Sequence, residues 1–159
     1  MAAVRSESKK NEYHVYVVEL DFEKIKSDES ALDMLKKKNR RVRKREEAFY
    51  VGVSAHSAKC RFRQHKFDPL VDSEFICKCG CAKLPSKTKK SNRLVKEFGL
   101  RLRPEFYSHL IPAYSRKDGE LLEGLMAKHL QKKGFAVYTD QLPNIKREKK
   151  KRKHSKKAR

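Results

Sequence analysis

Two short apolar runs set the limits on what this chain can fold into. "YHVYVVEL" at residues 13–20 and "AFYVGV" at residues 48–53 are rich in β-branched and aromatic side chains. Runs of that kind and length read as buried strands. Around them the chain is charged, with 41 Lys and Arg against 20 Asp and Glu in 159 residues, a net charge of +21. That length suits one ordinary domain with tails and is too short for two comfortable cores.

The remaining elements follow from periodicity and punctuation. "SDESALDMLKKKNRRVRKRE" opens on Ser and Asp caps, gathers Leu32, Met34 and Leu35, then turns strongly basic. It reads as a short helix running into a charged loop. A helix is expected at residues 57–66, with Ser57 as its N-cap. Residues 68–91 carry Pro69, Gly80, Pro85 and a cysteine cluster, a composition of irregular structure. "NRLVKEFGLRLRPEFYSHLIP" suits a short helix to Phe98 and then a strand up to Pro104. "SRKDGELLEGLMAKHLQKKG" is the clearest helix, acidic early, basic late and stopped at Gly134. "FAVYT" at residues 135–139 reads as a third strand. The fold class is therefore α/β, a sheet of about three strands flanked by helices.

Charge and hydropathy narrow the function. A basic surface of this strength seeks a polyanion, and nucleic acid is the obvious one. An acidic membrane surface is disfavoured because no basic stretch interleaves with large apolar residues on one helical face. Nothing resembles a signal peptide or a membrane span, so the protein is expected to be intracellular. Residues 1–11 are polar and expected to be flexible, and the folded domain is placed at 12–145. Residues 146–159 hold ten Lys and Arg and one Glu, +9 of the total, and are expected to be a disordered tail. That tail suits a nucleic-acid arm or a nuclear-localisation signal, giving a nuclear protein in a eukaryote and a cytoplasmic one in a bacterium.

Within "FYVGVSAHSAKCRFRQH", Arg61 and His65 lie four residues apart and share a helical face. An arginine fork suits a phosphate, and a histidine can orient a water. The same residues, with Arg63, also fit the solvated side of an amphipathic helix.

The combination "HVY" at residues 14–16, "YVG" at residues 50–52, an arginine nine residues after the glycine and a histidine four later resembles the GIY-YIG nuclease family. "GLRLRPEFYSHL" and "KKGFAVY" are similar to small stand-alone bacterial members. The resemblance implies a small GIY-YIG-like domain, with Tyr16 and Tyr50 as the motif tyrosines, Gly52 as the motif glycine, Arg61 as the catalytic arginine and His65 as its companion. It also implies a metal-binding glutamate on the long helix. With Leu121 at zero and about 100° per residue, Leu125, Leu122, Met126 and Leu130 fall at roughly 40°, 100°, 140° and 180°. Glu123 then lands near roughly 200°, at the edge of the apolar stripe, and Glu120 near roughly 260°, on the polar face. Glu123 is preferred. Asn144 is a weak match to an asparagine that family members carry after the glutamate.

The implied activity is metal-dependent endonuclease hydrolysis of phosphodiester bonds, with DNA favoured over RNA. Mg²⁺ or Mn²⁺ is expected on Glu123. Tyr50, or with less weight Tyr16, is expected to act as base with His65 assisting, its pKa lowered by the basic surroundings. Lys37, Arg40, Arg41, Arg43, Lys59 and Arg63 are expected to contact phosphates. The sequence departs from the family at Val53, where some members carry lysine, and in the 34-residue separation of Tyr16 and Tyr50. An alternative class is a non-catalytic nucleic-acid-binding protein on the same fold, bound to structured RNA or ribosomal particles. Zinc at Cys60, Cys77, Cys79 and Cys81 is disfavoured, because three thiols in five residues lack the usual paired spacing. His56 and His109 are read as structural.

Overall fold

The computed structural model describes residues 12–66 and 92–146. The expectations for the flexible N-terminus, the irregular segment with Cys77, Cys79 and Cys81, and the tail beyond Lys146 fall outside the described residues.

The two apolar runs become β1 (His14–Leu20) and β2 (Ala48–Ser54), paired antiparallel with Tyr16 opposite Gly52 and Val18 opposite Tyr50. Strand β3 (Gly99–Leu102) lies antiparallel on the outer side of β1, and β4 (Ala136–Tyr138) runs parallel to β2. The protein is thus α/β with a four-stranded mixed sheet in the order β3-β1-β2-β4. The expected count of about three strands is corrected to four; β3 falls where the sequence suits a strand before Pro104, and its exposed Leu100 and Arg101 mark it as the edge of the sheet.

The insertion between β1 and β2 is not a single helix and a loop. It folds as α1 (Phe22–Ser27) and α2 (Glu29–Lys36), then a 3₁₀ turn at Val42–Lys44. Asp21 caps α1 and Asp28 caps α2, each accepting a backbone N–H. Phe22 and Ile25 alone anchor α1, too few apolar residues to announce it. After β2 come α3 (Ala58–Lys66), α4 (Arg93–Phe98) and the long α5 (Arg116–Lys132). No helix among the described residues is long and apolar enough to cross a membrane.

Because side chains alternate along a strand, the sheet has two chemically different faces. One carries Tyr16, Val18, Tyr50 and Ala136 and packs on α1, α2 and α4, with Val42 joining the same core. The other carries Val15, Val17, Phe49, Val51 and Val137 and packs on Met126, Ala127 and Leu130 of α5. A Cβ on Gly119 would come within 2.9 Å of Val53 Cγ2 and 3.1 Å of Tyr13 Cβ, so the glycine lets the first turn of α5 close on the sheet.

Candidate functional site

The register brings the two motif tyrosines together. Tyr16 faces Gly52 across the β1/β2 ladder, and Tyr50 stands two residues before Gly52, so the tyrosines are diagonal neighbours on one face. Their ring centroids are 6.2 Å apart. Tyr16 lies across the glycine itself: a Cβ on Gly52 would sit 2.5 Å from the Tyr16 hydroxyl oxygen. Gly52 is therefore needed for the space over β2, not for an unusual backbone angle. Tyr138 pairs with Tyr50 across β4 and stacks beside it, at 6.4 Å and 15°.

Helix α3 delivers its side chains onto this face. Ser57 caps it by accepting the Cys60 N–H. His65 is 1 % exposed and lies 5.7 Å from the Tyr50 ring. The Asn92 backbone N–H donates to its Nδ1 at 3.2 Å, which leaves the ring proton on Nε2 to donate to the Tyr16 hydroxyl at 2.9 Å. Burial, and then the positive charge of Arg61, pull its pKa down to about 3. The solvated-face reading of α3 is therefore corrected for His65, while Arg63 and Lys59 are exposed as that reading requires. Arg61 is half-buried, its Nη1 donating to Gln64 Oε1 at 2.8 Å.

The pKa of Tyr16 is pushed up to about 12, chiefly by burial, although Arg61 and hydrogen bonds from Arg61 and Tyr50 oppose the rise. Tyr50 is raised well above the ordinary tyrosine value by burial and by the charges of Tyr16, Glu123 and Asp140. The expected lowering by basic surroundings is thus reversed. Net charge acts through solvent, whereas these phenols sit where loss of water outweighs a single arginine.

Glu123 is buried, and α5 presents Gly119, Glu123, Met126, Ala127 and Leu130 inward. On the helical wheel this places Glu123 at the middle of the core face, not its edge. Leu121 and Leu125 are 63 % and 54 % exposed, so the apolar stripe drawn through them is corrected. Thr139 donates its hydroxyl proton to Glu123 Oε1. Burial raises the Glu123 pKa to about 7; the Thr139 bond opposes the rise, and the charges of Asp140 and Glu120 add to it. The Glu123 charge reaches both Tyr16 and Tyr50. Glu120 instead pairs with Arg116 at 3.1 Å.

Asn144 is exposed, and the next residue is tied to α2 by the Ile145 N–H donating to the Lys37 carbonyl at 2.7 Å. Lys37, Arg40, Arg41 and Arg43 are exposed near the far end of β2, away from Gly52. Cys60 is a buried thiol with His56 Nδ1 at 3.8 Å from its sulfur, while His109 is exposed. Among the described residues no group of three or more His, Cys, Asp or Glu is placed to hold a metal ion.

Sequence reasoning missed three participants: Thr139 and Asp140 beside Glu123, and Gln64 holding Arg61. A signal existed for Asp140 alone, as the acid two residues after the last strand. Comparison with protein-family models, with curated proteins and with solved structures finds no match to this chain.

Proposed function

We propose that this chain is a GIY-YIG-type, metal-dependent endonuclease that hydrolyses nucleic-acid phosphodiester bonds, with DNA favoured over RNA. The observation that carries the reading is the convergence of Tyr16, Tyr50, His65 and Arg61 from three separate elements, with the Glu123 charge felt by both tyrosines. Such an arrangement is more than a basic surface needs, since phosphate binding alone asks only for exposed cations.

A divalent cation fits the donor set. Glu123 and Asp140 offer oxygen atoms only, which suit Mg²⁺ or Mn²⁺, and a buried carboxyl raised by a second carboxylate gains from a neighbouring positive charge. When bound, that ion supplies Lewis-acid stabilisation of the phosphoryl and leaving oxygens. The chain's own residues do the rest. Arg61, steadied by Gln64, is pre-placed to meet charge growing on the phosphoryl oxygens in a partly dry site. His65 stays neutral and holds the Tyr16 ring through its Nε2–H. Both tyrosines remain phenols at neutral pH, so Tyr50 as it stands orients the attacking water by hydrogen bonding; the water's proton passes to a phosphoryl oxygen of the substrate, and the leaving alkoxide takes one from solvent.

The test is nicking of supercoiled plasmid in Mg²⁺. Arg61→Ala and Glu123→Ala should each slow nicking by about 10²-fold or more, the usual scale for losing a group that stabilises developing charge. If both variants nick as wild type does, the site is wrong. One observation favours the alternative of a non-catalytic nucleic-acid-binding protein: Thr139 already occupies one Glu123 oxygen. A wild-type protein inert with Mg²⁺ and Mn²⁺ yet tightly bound to structured RNA, with a steep salt dependence, would decide for it.

A further inference from the structure

The segment at residues 36–45 places eight Lys and Arg in ten positions with no acid among them. Left to itself such a run repels itself and stays extended. Here it is folded around a shallow, open concavity of about 490 Å³, lined by Lys36, Arg40, Arg41, Arg43 and Lys44 together with Asn39, Val42 and Ile145.

A buried asparagine holds it there. Asn39 is 3 % exposed; its Nδ2 donates to the Leu35 and Val137 carbonyls at 2.8 and 2.9 Å. Its Oδ1 accepts from the Val137 N–H and from Gln131 Nε2, both at 2.9 Å. Arg45 turns back to donate to the Gln131 carbonyl at 2.9 Å and to the Arg40 carbonyl at 3.4 Å. The cations are therefore carried on a backbone bolted to β4 and α5. Among the described residues, Arg40, Arg41, Arg43 and Lys44 have no carboxylate partner, while Lys36 has Asp33 at 3.8 Å. A merely solvated loop would need neither the buried frame nor the shared hollow. Cations gathered without counter-charge are stabilised by an anion from outside.

The hollow is anchored on the same core as the tyrosine face. Val42 belongs to the same core as Tyr16 and Tyr50. Lys38 Nζ lies 5.7 Å from the Tyr138 ring centroid, and Tyr138 stacks on Tyr50. Packed side chains thus run from the segment that walls the hollow to Tyr50. That segment lies beyond the Ala48 end of β2, and Tyr16 meets Gly52 toward the other end. From Ala48 to Gly52 is about 13 Å at roughly 3.3 Å per residue, so a stacked strand at roughly 3.4 Å per nucleotide needs about four nucleotides or more to reach both.

We propose that the hollow walled by Lys36, Arg40, Arg41, Arg43 and Lys44 is a second phosphate site, holding the backbone of the nucleic-acid strand about four nucleotides or more from the bond presented to Tyr16 and Arg61. It rests on the nuclease reading for what lies at the other end, and its test reads binding alone.

Anisotropy of fluorescein-labelled single-stranded DNA is measured in EDTA with the full chain, using a 16-mer and a 4-mer. The variant Arg40→Ala/Arg43→Ala/Lys44→Ala is set against the charge-matched Lys117→Ala/Lys128→Ala/Lys132→Ala on α5; all six positions are exposed, and melting curves confirm folding. The hollow variant should weaken the 16-mer about tenfold or more at 0.15 M salt and flatten the salt slope by about 0.7 for each phosphate no longer neutralised. The α5 variant should change 16-mer affinity less than about threefold, and the loss in the hollow variant should be smaller on the 4-mer, which is too short to reach both ends. Equal losses in both variants would overturn the proposal in favour of net charge alone, and a loss as large on the 4-mer as on the 16-mer would overturn it because the strand then does not extend beyond the hollow. Should the triple variant misfold, Arg41→Gly removes one charge at φ 51°, where glycine is unstrained, and must still weaken the 16-mer selectively. Nicking lost in Arg61→Ala while the hollow variant binds normally sinks this proposal and leaves the nuclease reading standing; the converse result does the opposite.

Discussion

Two buried ionisable side chains, His65 on α3 and Glu123 on α5, meet burial in opposite ways. They are 1 % and 6 % exposed. Both ring nitrogens of His65 have partners, and those partners suit the neutral ring. Glu123 has Thr139 on one oxygen and a second carboxylate, Asp140, nearby. Burial thus fixes the histidine in one state and leaves the carboxyl straddling two states near neutral pH. The first arrangement stabilises the fold; the second costs stability and is of use only to something that brings positive charge.

The largest effect expected from this contrast is on the histidine side. His65→Ala should destabilise the protein by about 3–5 kcal/mol in urea unfolding at pH 7, since it opens a cavity in the core and removes one of the partners of the buried Tyr16 hydroxyl. A loss under about 1 kcal/mol would show that the tyrosine face does not depend on His65.

Glu123 should behave in the reverse sense. Its folded pKa of about 7 lies above its unfolded value of 4.5, so the stability it contributes is present below about pH 4.5 and is lost as pH rises through 7. In metal-free buffer, Glu123→Gln should therefore raise stability by up to about 3 kcal/mol at pH 8.5 and by little at pH 4.5. His65, with a folded pKa of about 3, contributes stability that is lost as pH falls from 6.5 toward 3. Between about pH 4.5 and 6.5 the two slopes oppose each other and nearly cancel. Glu123→Gln should expose a decline toward acid in that window. A flat profile in the variant would mean that the histidine is not held neutral.

Gly52→Ala tests the tyrosine face without touching Glu123. The added methyl meets the Tyr16 ring, so Tyr16 must leave its bond to His65 or β2 must shift. A loss of about 1–3 kcal/mol is expected. It should be accompanied by a shift of the His65 ring resonances as the Tyr16 contact is lost, read by NMR. An unchanged histidine would show that the Tyr16 contact does not depend on the open space over β2.

What was legible in the sequence follows the same division. β1 and β2 could be read because nearly every position is buried, so composition alone marks them. Tyr16, Tyr50 and Gly52 stood out through the resemblance of "HVY" and "YVG" to a family motif, and the strand register supplies the reason they meet. Helix α1 was silent, since "FEKIKS" buries only two side chains, whereas β3 could be read as a strand before Pro104 although "GLRL" is half exposed. The direction of the tyrosine shifts could not be read at all. A net charge of +21 is visible in the letters, but depth is not, and depth decides. Asn39 carries no signal within its basic run, because its role depends on Val137, 98 residues away.

The smallest effect tests the face that α5 turns inward. Four leucines and a methionine suggest a stripe through Leu121 and Leu125, yet the sheet selects Met126, Ala127 and Leu130, with Glu123 between them. Apolar residues exposed one by one are ordinary, because polar atoms are too few to cover a protein surface. Leu121→Ala and Leu125→Ala should each change stability by less than about 0.5 kcal/mol, against about 2–5 kcal/mol for Leu130→Ala. If Leu121→Ala instead costs as much as Leu130→Ala, the helix is rotated from the position described. Glu123 then leaves the middle of the buried face, and the contrast with His65 goes with it.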